Sequence, residues 1–198
     1  YKKAIKLYPN NEKFYYNLPS GENFWSESAV DFIARFPNSH SIGSNETLVI
    51  SLDDSQTFSD YYGDTPDLSL FDMEDAIDGQ STISVGSSLS DATEMLMLFK
   101  WSGDSNDKVE DVDYFIWGGT NEGIDKTGVG DYFPDTPLED QTPFSYSHGE
   151  DSTYVRIVIG SEGNEITSGG NGITGHNETS ENFSETWNVI VSPEIIYG

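Results

Sequence analysis

The stretch Glu94-Met95-Leu96-Met97-Leu98-Phe99-Lys100-Trp101, followed after seven residues by Val109-Glu110-Asp111-Val112-Asp113-Tyr114-Phe115-Ile116-Trp117, decides the fold. Short apolar runs with alternating side chains are typical of strands. Apolar residues would line both faces of the first run, as in a central strand that is covered on both sides. Because the connection is short, we predict an antiparallel hairpin.

The second run alternates between two faces. Val112, Tyr114 and Ile116 would form an apolar face, whereas the opposite face begins with Asp113 and continues with aromatic residues. Residues 46–52, 153–159 and 186–191 are further apolar runs of strand length, separated by Gly, Asn, Asp, Ser and Pro. The sequence therefore predicts an all-β fold.

Helix is predicted in one place only. Residues 54–63 offer Asp54 or Ser55 as an N-cap, apolar Phe58, Tyr61 and Tyr62 at helical spacing, and Gly63 as a stop. Residues 63–92, 118–152 and 160–185 are poor in apolar residues and longer than ordinary loops. We expect them to be ordered excursions packed by their aromatic side chains, or functional loops.

Composition restricts the partners. The 198 residues include 35 Asp and Glu against 9 Lys and Arg, a formal net charge of −26. Such a surface repels nucleic acid and anionic lipid, and it attracts metal ions and basic protein surfaces. Aromatic residues make up 13% of the chain, enough to build a core, and the absence of cysteine excludes disulfides and thiolate sites.

The sequence contains no apolar run of membrane-spanning length, and its first residues lack the apolar stretch of a signal peptide. It starts with Tyr1 rather than Met and ends on Gly198. We therefore expect no direct membrane insertion, and we interpret residues 1–198 as one domain that is part of a longer polypeptide.

Several segments, taken in order, resemble the lamin tail domain family as it occurs in exported bacterial proteins. They are Leu18-Pro19-Ser20-Gly21, residues 31–37, 46–50 and 58–63 with Pro66-Asp67, residues 94–99 and 111–114, Trp117-Gly118, Asp125-Lys126-Thr127-Gly128, and residues 169–182 followed by Trp187. Together they extend from about residue 14 to residue 190.

The resemblance implies an immunoglobulin-like antiparallel β-sandwich with long ordered loops and one short helix. It also implies an accessory or interaction module, and it supplies no catalytic residues. Two features depart from the family. The opening segment Ala4-Ile5-Lys6-Leu7-Tyr8 predicts degenerate or truncated first strands, and the loops between residues 118 and 185 are longer than a minimal sandwich needs.

A calcium site is the first candidate. Asp104, Asn106, Asp107 and Asp111 crowd one hairpin together with two further acids, and calcium prefers oxygen ligands of this kind. The spacing does not fit an EF-hand, since Val109 stands where that loop needs glycine. The alternative is a solvated hairpin edge whose charge discourages edge-to-edge pairing.

The glycine-rich segment 169–182, which contains His176, is the second candidate. Its glycines allow close approach of the backbone to a ligand. A nucleotide site is not indicated, because the strand and helix that flank such a motif are missing from the pattern. The alternative is a long loop that is held by its own hydrogen bonds and by Trp187.

Catalysis and sugar stacking are the remaining candidates. His40, His148 and His176 all fall in loop-like stretches, without a catalytic motif around them, so we predict no enzymatic activity. A phosphatase or nuclease would instead depend on His176. Tyr15, Tyr16, Phe24, Trp25, Tyr61 and Tyr62 could stack on sugars, although core packing explains most of them.

We therefore expect a non-catalytic binding or assembly module on the surface or outside of a bacterial cell. Its partners would be proteins with basic surfaces, other domains of the same polypeptide, or a secretion or surface assembly, and not nucleic acid. The alternative is a calcium-dependent carbohydrate-binding or adhesion accessory of a larger secreted enzyme.

Overall fold

The computed structural model describes residues 32–76, 81–83, 86–102, 107–128, 131–146, 149, 152–158 and 163–191, and the backbone of residues 3–5. The strands are β1 (Lys3–Ile5), β2 (Ile33–Arg35), β3 (Ile50–Ser51), β4 (Leu68–Ser69), β5 (Glu74–Asp75), β6 (Glu94–Lys100), β7 (Glu110–Trp117), β8 (Ser152–Arg156) and β9 (Trp187–Val191). The helices are α1 (Ser55–Tyr62) and α2 (Phe183–Thr186), and 3₁₀ turns cover Leu70–Asp72 and Glu178–Ser180.

Five strands form one antiparallel sheet in the order β5-β2-β1-β6-β7. β3 and β4 pair in parallel, and β8 and β9 form an antiparallel hairpin. The prediction of a β-rich fold with little helix is confirmed. Neither helix in the described part of the chain is long and apolar enough to cross a bilayer.

The β6–β7 hairpin pairs as predicted, and β6 lies inside the sheet between β1 and β7. Met95, Met97 and Phe99 are completely buried on one face. Leu96 and Leu98, on the opposite face, are only half-buried among the described residues. They line two cavities of about 610 and 560 Å³ on that face.

The alternation predicted for β7 is wrong at its start. Leu98 lies opposite Asp113, but Phe99 lies opposite Asp111, so the register shifts and Val112 has no partner in β6. Because a bulge adds one unpaired residue, the residue before it lies on the face opposite to the one that regular alternation predicts. Asp111 consequently shares the buried face of Tyr114 and is 1% exposed, whereas Val112 is half-buried.

Aromatic rings join the β8–β9 hairpin to the other face of β7. The Phe115 ring stacks on Trp187 with 4.0 Å between ring centroids, and it meets Tyr154 edge-on at 5.4 Å. A smaller hydrophobic cluster of Phe32, Ala34, Leu70 and Met73 is separate from this core. The ring-rich core that composition indicated is thus centred on β7.

Helix α1 forms where the sequence predicts it. The Asp54 side chain accepts hydrogen bonds from the backbone N–H groups of Gln56 and Thr57, which caps the first turn. Gly63 ends the helix in the left-handed conformation, with a φ of 75°. A single helix was expected, but a second one, α2, occupies residues 183–186, so the predicted strand 186–191 begins one residue later, at Trp187.

Two predicted strands are shorter than expected. In segment 46–52 only Ile50 and Ser51 are paired as a strand, and Asn45 turns the chain ahead of them with a φ of 60°. The N–H of Val49 bonds to the Asp67 side chain, while its carbonyl accepts from the N–H groups of Asp67 and Leu68. Strand β8 ends at Arg156, because the chain bends at Ile157. The opening strand β1 is three residues long but pairs on both sides.

Gly118 ends β7 with a φ of 76°, and a Cβ atom there would overlap the carbonyl oxygen of Ala92. Gly63 has nearly the same φ of 75° but open space around it. We expect Gly63→Ala to lower the free energy of unfolding by about 1 to 2 kcal/mol from backbone strain alone. Gly118→Ala should cost clearly more, because the sheet backbone itself must move. Urea denaturation of the two variants checks this, and equal losses would contradict it.

Candidate functional site

The glycine-rich loop is fixed to the edge of the sheet at Asp111. The backbone N–H of Asp111 donates to the carbonyl of Asn171 at 3.0 Å, and the N–H of Ile173 donates to the carbonyl of Asp111 at 2.7 Å. Asp111 and Gly172 thereby form a parallel β-bridge. The loop therefore extends the sheet beyond β7 instead of standing away from it.

Below this bridge lies a buried ion-pair triad of Lys126, Asp111 and Asp135. The Lys126 ammonium lies 2.8 Å from a carboxylate oxygen of each aspartate, and all three side chains are at most 2% exposed. Burial raises the pKa of Asp111 to about 6 despite the opposing charge of Lys126. Burial by itself would lower the pKa of Lys126, but the two carboxylates outweigh it and raise the pKa above its ordinary value.

The side chain of Asn171 connects the triad to the loops. Its amide donates to Asp135 at 2.9 Å and to the carbonyl of Phe133 at 2.8 Å, and its oxygen accepts from the N–H of Phe133 at 2.9 Å. Asp135 also accepts from the backbone N–H of Lys126. Loop 118–146 and the glycine-rich segment 169–182 are therefore joined to β7 by one polar network.

A second buried hub holds loop 118–146. The Tyr114 hydroxyl donates to Gln141 at 3.1 Å, and the Gln141 amide donates to the carbonyls of Ile124 and Thr136 at 2.7 and 2.9 Å. Phe144 pairs with the backbone of β7 at Ile116. The described part of loop 118–146 is thus attached to β7 through Tyr114, Gln141 and Phe144.

Three side chains that can ligate a metal converge at the glycine-rich segment 169–182: His176 and Glu178, which belong to it, and Glu165, which precedes it. One donor atom from each lies within 4.8 Å of the others. An antiparallel bridge between Ile166 and Asn177 brings Glu165 opposite Glu178. Like charges placed directly opposite repel each other. Nδ1 of His176 forms a short hydrogen bond with Oε1 of Glu165.

Two glycines make room for this cluster. A Cβ atom on Gly172 would lie 2.6 Å from a carboxylate oxygen of Glu178, and one on Gly170 would overlap the carbonyl of His176. The N–H groups of Gly170 and Gly172 bond within the loop, to Gly175 and His176. These hydrogen bonds fit the interpretation of the segment as a loop that is held by its own contacts. The close approach of the glycine backbone, which was predicted for a ligand, is made here to the side chain of Glu178.

The surroundings of Glu178 are strongly acidic. Burial, together with the negative charges of Glu165, Asp113 and Asp111, raises its pKa to about 9. Arg156 is the cation next to this region, but it is already bound at 2.8 Å to Asp113 and at 3.2 Å to Glu181. Glu165 and Glu178 therefore share either a proton or a cation.

The predicted calcium ligands are not brought together in the described chain. Asp104 and Asn106 lie outside the described residues. Asp107 is exposed and accepts a hydrogen bond from Ser102, and Asp111 is buried against Lys126. The predicted edge position of Asp111 is wrong because the bulge turns it inward. Calcium binding by this hairpin stays a prediction.

The other sequence candidates are dispersed. His148, Tyr15, Tyr16, Phe24 and Trp25 lie outside the described residues. Tyr61 and Tyr62 are 72% and 47% exposed on α1, with their rings in edge contact at 4.7 Å. Of the histidines in the described chain, only His176 belongs to a potential metal cluster.

Sequence reasoning singled out His176 but missed Glu165, Glu178 and Lys126 as functional residues. Glu178 and His176 are two residues apart, a spacing that places both side chains on one side of an extended segment. The partner Glu165 comes from 11 residues earlier and carries no local signal. Lys126 could have been noticed as one of only nine cations in a very acidic chain.

Comparison of this chain with protein-family models, with curated proteins and with solved structures finds no match. The resemblance to lamin tail domains therefore stays a prediction.

Lys126→Met should lower the free energy of unfolding by about 3 to 5 kcal/mol, because it leaves Asp111 and Asp135 as buried carboxylates without a counter-charge. The matched control is Lys100→Met, which removes the ion pair between Lys100 and Glu110. The side chains of these two residues are 44% and 47% exposed. That loss should stay below about 1 kcal/mol. Urea denaturation measures both, and similar losses would show that the triad does not hold the loops.

The raised pKa of Glu178 makes metal-free stability depend on pH. Between its ordinary pKa of 4.5 and about 9 the folded chain keeps a proton that the unfolded chain has lost, so stability should fall as pH rises through this window. The slope is limited to about 1.4 kcal/mol per pH unit for one proton.

Glu178→Gln should flatten this slope, whereas Glu185→Gln, on an exposed residue of α2, should not. Denaturant titrations at pH 5 to 8.5 in the presence of a chelator make the measurement. An unchanged slope in Glu178→Gln would refute the assignment.

Proposed function

We propose that this chain is a non-catalytic binding or assembly module that works on the surface or outside of a bacterial cell. In this proposal the fold is an immunoglobulin-like β-sandwich of the lamin tail type. The stacking of the β8–β9 hairpin on the Phe115 side of the main sheet supports two packed layers. Export is supported by the family resemblance and by the acidic composition.

The observation that carries the binding proposal is the rigid attachment of the long loops to β7. Loops that are fixed before binding lose little conformational entropy when a partner docks. The Asn171 side chain bonds to both the N–H and the carbonyl of Phe133. The side chains of Phe133 and Ile173 are nevertheless exposed, with 56% and 47% of the residue surface accessible. Exposed apolar side chains on a pre-formed surface are typical of interaction sites.

Charge indicates the type of partner. Asp131, Glu139 and Asp140 are exposed in the same loop that contains Phe133. Exposed apolar and acidic side chains in one loop fit a protein surface that presents apolar side chains among Lys and Arg. Such a surface could belong to another protein, to another domain of the same polypeptide, or to a surface assembly.

The test replaces Phe133 or Ile173 by a photo-crosslinking amino acid in the full-length parent protein and irradiates intact cells. We expect adducts with Lys- and Arg-rich segments of a partner, identified by mass spectrometry. Adduct yield on purified envelopes should decrease severalfold between low salt and about 1 M salt, because screening shortens the reach of the charges to about 3 Å.

Phe71, which is 43% exposed in the 3₁₀ turn at Leu70–Asp72, is the matched control position. Equal adduct yields at Phe71 and Phe133 would contradict a specific loop surface. Turnover of phosphoester substrates that disappears in His176→Ala would contradict the non-catalytic assignment and support a hydrolase.

A further inference from the structure

The cluster of Glu165, His176 and Glu178 is built into the fold and is not part of a solvated charged face. The Glu165 side chain is 1% exposed, and Glu178 is 4% exposed as a residue. Burying two carboxylates directly opposite each other is unfavourable unless something positive lies between them. In the exposed acidic stretches of this chain, by contrast, water can separate the charges.

One oxygen in the cluster lacks a hydrogen-bond donor. Oε1 of Glu165 contacts Nδ1 of His176, but Oε2 is buried, and no N–H group and no Ser, Thr or Tyr hydroxyl of the described residues donates to it. Buried carboxylate oxygens of native proteins almost always have a partner. Glu165 is also one of the three residues whose donor atoms lie within 4.8 Å of one another, so the unpartnered oxygen and the potential metal ligands occur on the same side chain.

The chemistry of the donors favours a particular class of ion. One imidazole and two carboxylates match zinc and similar divalent transition metals, which accept nitrogen and oxygen ligands together. Calcium needs six to eight oxygen ligands, and two carboxylates supply at most four. In a tetrahedral zinc site, donor atoms lie about 3.4 Å apart, a spacing within the observed span of the cluster.

We propose that Glu165, His176 and Glu178 bind one divalent transition-metal ion of the zinc class. The ion replaces the direct contact between His176 and Glu165 and offsets the two facing carboxylates. It joins the two sides of the Ile166–Asn177 bridge, so it stabilises the same loop that Asp111 and Asn171 fix to the sheet.

The fourth coordination position opens on the His176 side. The imidazole is 24% exposed, whereas the two glutamates are shielded. Solvent can therefore enter and supply the fourth ligand. This assignment goes beyond the proposed binding function and does not depend on it, because the metal can be present whether or not the exposed loop surface finds a partner.

The experiment titrates the metal-stripped chain with Zn²⁺ by calorimetry, in 150 mM salt and millimolar Mg²⁺ that occupies the exposed carboxylates. We expect one ion per chain. At a free Zn²⁺ concentration of about 100 times the dissociation constant, the unfolding midpoint should rise by about 5 to 10 °C. Co²⁺ in place of Zn²⁺ should give the visible absorption of a four-coordinate site.

The variants are Glu165→Gln, Glu178→Gln and His176→Ala, each compared with Glu185→Gln and His40→Ala, which change the same residue types outside the cluster. The three cluster variants should weaken Zn²⁺ binding at least tenfold and lose the Co²⁺ absorption, while both controls bind as the parent does. Circular dichroism verifies that each variant is folded. Because Gln has the same shape as Glu, a loss of Zn²⁺ affinity in Glu178→Gln cannot arise from a cavity.

Three outcomes would overturn the proposal: no one-to-one binding, equal affinity in cluster and control variants, or a larger midpoint rise with Ca²⁺ than with Zn²⁺. The last result would favour the calcium-dependent alternative. None of them bears on the crosslinking at Phe133 and Ile173, so failure of the metal site and failure of the binding proposal can be told apart.

Discussion

The ammonium group of Lys126, buried between the carboxylates of Asp111 and Asp135, is the contact on which the arrangement of both long loops depends. Buried charges are costly to desolvate, so they tolerate few alternative positions. Asp111 comes from the sheet, Lys126 and Asp135 from one loop, and Asn171 attaches the other loop to Asp135. One ion-pair network thus sets where three parts of the chain meet.

The same network explains why an excess of acid reaches the interior. A chain with 35 acids and only 9 Lys and Arg has few cations available for pairing. Lys126 neutralises one group of buried carboxylates, and Arg156 holds Asp113 and Glu181. Glu165 and Glu178 then face each other, with His176 bonded to Glu165. The shortage of cations thus leaves a pair of buried carboxylates that no Lys or Arg of the described chain neutralises in the bonds given above, which is the site of the proposed metal ion.

Much of the local structure could be predicted from the sequence. The β6–β7 hairpin follows from alternating apolar residues, and α1 follows from the Asp54 cap and the Gly63 stop, because both signals act between residues close in the chain. Strand ends were less predictable. Segment 46–52 has the apolar residues of a strand, but only Ile50 and Ser51 pair with β4, since the N–H of Val49 bonds to the distant side chain of Asp67.

The sequence by itself determined a β-rich, ring-filled and strongly acidic chain, since strand periodicity, aromatic content and net charge are properties of the residues alone. Tertiary structure decided which acids are buried and what they contact. The bulge at Val112 turned Asp111 from an edge residue into the partner of Lys126, and the bridge between Ile166 and Asn177 placed Glu165 against Glu178. Both outcomes depend on register between distant segments, and register is fixed only when the segments pack together.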